Sequence, residues 1–112
     1  MGRGQAPGAG FETSWPLIVR STAERDLVGA FQYYESVVPG LGATFVQRVE
    51  EALAAIALVP AGFRKRHGEF RLLVVNRFPN GAFYLFDGTA EAIVAIAPLG
   101  SEPEFIRRRL ER

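Results

Sequence analysis

The chain has 112 residues, 13 basic against 12 acidic side chains and no cysteine, so it is one small domain in which disulfides, thiol nucleophiles and thiolate metal sites are excluded. A net charge of +1 gives no general attraction to nucleic acid or to an anionic membrane, while 48% hydrophobic residues, including nine Phe, are enough for a core. No apolar run approaches the roughly 20 residues of a membrane span, and MGRGQAPGAG lacks the apolar stretch of a signal peptide, so a cytoplasmic protein is expected.

Residues 1–14 are rich in glycine and small or polar side chains, which bury too little to offset the entropy of ordering them. They read as a flexible tail ahead of a single domain over 15–112. WPLIVR (Trp15 to Arg20) reads as a short first strand, with Pro16 at its start. Ser21 and Glu24 have the spacing of a capping box and open a helix. Its apolar positions Ala23, Leu27, Ala30, Phe31, Tyr34 and Val38 recur at helical spacing, and Pro39-Gly40 ends it. A second helix is expected from Leu41 to Leu58, with Phe45, Val49, Ala52, Leu53 and Ile56 in one stripe and Gln47, Arg48, Glu50 and Glu51 in the opposite one. The short connection makes the two an antiparallel hairpin.

Beyond Pro60 the helical period gives way to strand-like runs: EFRLLVVN (Glu69 to Asn76), GAFYLF (Gly81 to Phe86) and EAIVAIA (Glu91 to Ala97). Pro79-Asn80-Gly81 and Asp87-Gly88 are turn signals, so the three runs are consecutive antiparallel hairpins. Alternation sets Gly81, Phe83 and Leu85 against Ala82, Tyr84 and Phe86. A short helix follows from Pro103 to about Leu110. The expected architecture is α+β: an antiparallel sheet with the helical hairpin on one face, of order βααβββ plus a C-terminal helix, and the second face open to a partner or substrate. Two segments, FRKRHGEFR (Phe63 to Arg71) and FIRRRLER (Phe105 to Arg112), hold most of the basic side chains. Solvated loop and helix faces are the ordinary reading of such runs.

Tyr33-Tyr34-Glu35, Pro39-Gly40-Leu41-Gly42 with Phe45, and Arg77-Phe78-Pro79 leading to Phe83-Tyr84 together resemble the RelE/ParE-type toxins of type II toxin-antitoxin modules, over about Pro16 to Leu110. The resemblance implies a cytoplasmic plasmid-stabilisation-type toxin of bacterial origin, neutralised by a cognate antitoxin in a hetero-oligomer, with no cofactor and no metal. The helical hairpin is more similar to ParE-like members. The resemblance to these implies inhibition of DNA gyrase by binding, without chemistry and without direct nucleic-acid contact. RelE-like members, the alternative, are ribosome-dependent endoribonucleases. A third reading is a degenerate member that has lost toxicity.

Cleaving RNA at a 2′-hydroxyl requires a proton acceptor, a proton donor and cations for the phosphorane. Lys65, Arg66, His67, Arg71, Arg77 and Tyr84 are the available groups, and arginine, which keeps its proton, is a poor base. Only His67 titrates near neutrality, and an exposed place at a strand entry is its simpler reading. For Tyr84 core packing with the hydroxyl at an edge is the default reading. The catalytic set of the nuclease reading is therefore Arg71, Arg77, His67 and Tyr84, whereas the binding reading has no catalytic residue and uses Arg77, Arg107, Arg108 and Arg109 to contact its target. Many relatives carry His-Gly-Arg-Arg-Asp-Pro after the last strand. On this chain that segment falls on Pro98, Leu99, Gly100, Ser101, Glu102 and Pro103, leaving a neutral corner where the family pattern is basic.

Overall fold

Among the described residues, five strands and three helices form in the order β1 (Leu17–Val19), α1 (Ser21–Val37), α2 (Leu41–Leu58), β2 (Lys65–His67), β3 (Phe70–Val74), β4 (Asn80–Phe86), β5 (Glu91–Pro98) and α3 (Pro103–Leu110), with one 3-10 turn at Pro60–Gly62. The computed structural model describes residues 15–101 and 103–110, except the side chains of His67 and Leu110; the tail expected over 1–14 lies outside the described residues.

The sheet order is β1-β5-β4-β3-β2. Hairpin turns make β2, β3, β4 and β5 antiparallel neighbours, while β1 pairs parallel to β5 through Leu17 and Glu91. The α+β architecture is as expected, but the sheet is mixed rather than antiparallel, because β1 runs parallel to β5. Three direction reversals after α2 return the chain beside β1 in the direction in which it started. β2, absent from the expected elements, is a three-residue edge strand drawn from the basic segment, and its Lys65 pairs across to Arg71.

One face of the sheet meets α1 and α2. Ala23, Phe45, Val49, Ile56, Ala82, Tyr84, Ile93 and Ile96 form the core there. The alternation read in β4 is observed, with Ala82 and Tyr84 in this layer and Phe83 in the other. β5 departs from alternation: Phe83 pairs with Ala95 and Tyr84 with Ile93, so Val94 is an extra, bulged residue. The bulge turns both Ile93 and Ile96 to the helical layer and puts Val94, Ala95 and Ala97 on the opposite side.

Two expectations are corrected. The capping box at Ser21 and Glu24 does not form. Arg20 is the N-cap, no side chain caps the helix, and the first turn closes through Glu24 N and Arg20 O. Arg20 N is itself tied to Ile93 O, so the chain passes from β1 into α1 without room for a separate cap. The second sheet face is also not left open, because α3 packs on it with Ile106 fully buried among Phe70, Phe83 and Val94. An eight-residue helix with three consecutive arginines has too weak an apolar stripe for sequence to announce that role.

Candidate functional site

The residues most reminiscent of a family motif build the helical hairpin itself. Glu35 accepts hydrogen bonds from Gly40 N (2.8 Å) and Gly42 N (2.9 Å), satisfying two backbone donors at the start of α2. Gly40 takes φ 91° at the cap, a conformation that glycine adopts without strain. A Cβ on Gly42 would stand 2.7 Å from Phe31 O, so only glycine permits this approach of the helices. Tyr34 stacks against Phe45 and Phe78, each at 5.0 Å between ring centres, and its hydroxyl donates to Asn80 Oδ1 at 2.7 Å. Burial raises the pKa of Tyr34, so it is a neutral donor at physiological pH.

This aromatic cluster anchors the β3–β4 turn. Phe78 N bonds to Val75 O, and Arg77, exposed beside it, has a positive φ of 73°. The neutral corner after β5 is tied to the same turn: Leu99 N donates to Pro79 O at 3.0 Å, and Ser101 closes on Pro98 O through both its N–H and its hydroxyl. Arg77 is thus an exposed cation at the end of the sheet where the corner sits.

Arg71 and Tyr84 lie toward the opposite end, paired across β3 and β4. Tyr84 is fully buried, faces the helical layer and donates its hydroxyl to Pro60 O. Its pKa is pushed up to about 12, first by burial, with the Arg71 charge opposing and the Glu91 charge adding. The guanidinium of Arg71 donates to Phe63 O at 2.8 Å and more weakly to Ala61 O. Both groups therefore hold the 3-10 turn after α2 in place. The structure does not bring Arg71, Arg77 and Tyr84 to one reacting centre; the side chain of His67 lies outside the described atoms.

Of the α3 arginines, Arg107 and Arg108 are exposed and share Glu104, at 3.1 and 4.0 Å. Arg109 is different. It makes two parallel bonds to Asp26 of α1, both at 3.1 Å, donates to Val94 O at 3.0 Å and lies 4.7 Å over the Phe105 ring. Beyond the end of β1, the outer edge of β5 is closed in the same way. Val94 O accepts from Thr22 Oγ1 and Arg109, Ile96 N donates to Asp26 Oδ2, and Pro98 has no N–H to offer. Asp26 was missed by sequence reasoning, and its partner stands 83 residues away with no local signal. Arg109→Ala is expected to lower stability by about 1–2 kcal/mol in urea denaturation, reduced from the buried-pair range by partial exposure. Arg109→Lys recovers only part of this, because an ammonium cannot make the paired bonds. A wild-type midpoint in Arg109→Ala would show that α3 is held by Ile106 alone.

A groove of about 450 Å³ runs between α1, the end of β5 and α3, bordered by Arg25, Tyr33, Asn80, Ile96, Pro98 and Phe105. Tyr33 is 63% and Phe105 43% exposed, an apolar lining unusual for free surface. Among the described residues no group of three His, Asp or Glu is placed to hold a metal ion, and no helix is long and apolar enough to cross a membrane.

No family model and no curated protein matches the chain. Among solved structures, a chain from the chromosomal ParDE TA system of P. aeruginosa is similar at a TM-score of 0.67 and 21% identity, over 76% of this chain and 96% of that one. This chain has that fold. The ParDE-type fold agrees with the resemblance read from the hairpin residues, and those residues account for it physically: Glu35, Gly40, Gly42 and Phe45 specify how the two helices meet.

Proposed function

We propose that the chain is the toxin of a type II toxin-antitoxin pair, that it acts by binding DNA gyrase, and that a cognate antitoxin neutralises it. The observation that carries the choice of binding over catalysis is the use made of Tyr84 and Arg71. A nuclease needs an accessible proton donor beside a free cation. Here the phenol is buried against Pro60 O and the guanidinium is committed to Phe63 O. The shared fold with a ParDE chain supports the toxin assignment. Arg77, exposed on a turn braced by Phe78, together with Arg107 and Arg108, supplies the target contacts, while Arg109 positions α3. The antitoxin contributes an amphipathic segment that folds onto the apolar groove between α1 and α3.

The test is a supercoiling assay with purified protein, run beside an RNA-integrity assay in translating extract. Inhibited supercoiling with intact mRNA is expected. Unaffected supercoiling at high molar excess would sink the gyrase assignment, and mRNA cleavage would replace it with a ribonuclease. One observation favours a second reading, a member without toxicity: the Pro98–Ser101 corner, closed on Pro79 O and its own carbonyl, carries no basic or titratable side chain. Normal growth on induction of soluble, folded chain without antitoxin is its expected result, and growth arrest would remove it.

A further inference from the structure

The two basic segments flagged in the sequence are far apart along the chain, yet α3 packs against both β5 and β2. The facing of each cation follows from register. Leu72 N donates to Arg64 O at 3.2 Å, so Arg64 stands opposite Leu72, and side chains directly opposite across a ladder share a face. Leu72 packs into the cluster around Ile106, which places Arg64 on the α3 side of the sheet. Lys65 is opposite Arg71, faces the other way and is paired to Glu69 at 3.0 Å.

On α3, Ile106 points into the sheet and Arg109 turns to the outer edge of β5, toward Asp26. Arg107 is two residues, about 200°, from Arg109 and so lies on the flank toward β2. Arg108 is 73% exposed on the outward side. Arg66 is exposed beside the irregular pairing of β2. Among the described residues neither Arg64 nor Arg66 has an ion pair and Arg107 and Arg108 share Glu104, so these four arginines outnumber the described carboxylates beside them, Glu104 and the Lys65-paired Glu69.

We propose that this β2–α3 surface binds the phosphodiester backbone of a nucleic acid. A surface whose cations outnumber its carboxylates, on a chain of net charge +1, gains by releasing the counterions of a polyanion, and guanidinium forks match phosphate oxygens. The inference goes beyond the toxin reading: it shares Arg107 and Arg108 with the target contacts proposed above, but its test uses nucleic acid without gyrase, so either can fail while the other stands. It also departs from the expectation of no direct nucleic-acid contact that came with the ParE-like resemblance, and from the lack of general attraction that a net charge of +1 implies. Net charge averages over the molecule, whereas a phosphate strand meets one face.

The test is fluorescence anisotropy of the full chain with a labelled duplex DNA and, separately, a labelled single-stranded RNA of about 20 nucleotides, from 50 to 200 mM salt. Four phosphate contacts give a log-log salt slope near −3.6 on duplex DNA, or about a hundredfold loss of affinity over that range. The double variant Arg64→Gln and Arg107→Gln is expected to bring the slope near −2 and to weaken binding more than tenfold at 50 mM. A control with the same change in net charge on the exposed face of α2, Gln47→Glu with Ala54→Glu, loses less than about threefold. Circular dichroism verifies that both retain the fold. The acid bound more tightly names the source of the phosphates. Absence of salt-dependent binding to either acid, equal loss in the control, or stronger competition by polyglutamate than by unlabelled DNA and RNA would overturn the proposal, the last assigning the surface to an acidic protein.

Discussion

Phe45→Ala is expected to lower the free energy of unfolding by about 3–5 kcal/mol, measured by urea denaturation. Phe45 is fully buried, and its ring stands 5.0 Å from both Tyr34 and Phe78. Truncation removes the transfer energy of the ring and leaves a cavity between α1, α2 and the β3–β4 turn. These walls cannot close on it easily. α1 and α2 are already held at van der Waals approach by Gly42, and Tyr34 is fixed by its bond to Asn80. Phe45→Leu keeps most of the volume and costs less than about 1.5 kcal/mol plus the lost edge-to-face contact. Because Phe78 belongs to the turn that carries Arg77, Phe45→Ala also raises amide exchange from Asn76 to Asn80. A loss no larger than that of Phe45→Leu would mean that the aromatic cluster repacks.

The second large effect is at Glu91. This carboxylate begins β5, is completely buried, and neither of its oxygens has a hydrogen-bond partner among the described residues. Its backbone is engaged with Pro16 O and the β1 and β4 ladders, so the side chain cannot swing out without opening the sheet. Burial pushes its pKa above the ordinary value of 4.5. A group whose folded-state pKa is raised favours folding while it is protonated. Its contribution is complete below about 4.5 and is lost as pH rises through the folded value. The wild-type denaturation midpoint is therefore expected to fall relative to Glu91→Gln as pH is raised above that ordinary value. The change at Asp87, whose pKa is held down by hydrogen bonds from Thr89 and Ala90, is common to both proteins and cancels in the difference. At neutral pH Glu91→Leu is expected to be more stable than wild type by about 1–3 kcal/mol, the cost of an unsatisfied buried polar group. Parallel pH curves for wild type and Glu91→Gln would show that Glu91 finds a partner in solution.

The sequence by itself determined the helical hairpin and the strand alternation, because both are written in contacts between near neighbours. Leu41 to Leu58 was legible as a helix to its last residue, since the stripe from Phe45 to Ile56 repeats every three or four positions and Pro39-Gly40 punctuates it. That Tyr84 shares a face with Ala82 and Phe86 followed from a period of two.

What only the tertiary structure decided depends on residues that meet from far along the chain. The bulge at Val94 answers to packing on both sides of β5 and leaves no mark in AIVAIA. β2 exists because β3 offers it an edge, and α3 covers the second face because Ile106 meets Phe70 and Phe83 there. The arginines of FIRRRLER read alike as a charge run, yet one is locked to Asp26 while its neighbours stay in solvent. Helical phase separates them, but which phase faces the protein is set by the sheet on which the helix lands. Charge, like burial, acquires its meaning from what is brought against it, and local sequence carries no record of partners 83 residues away.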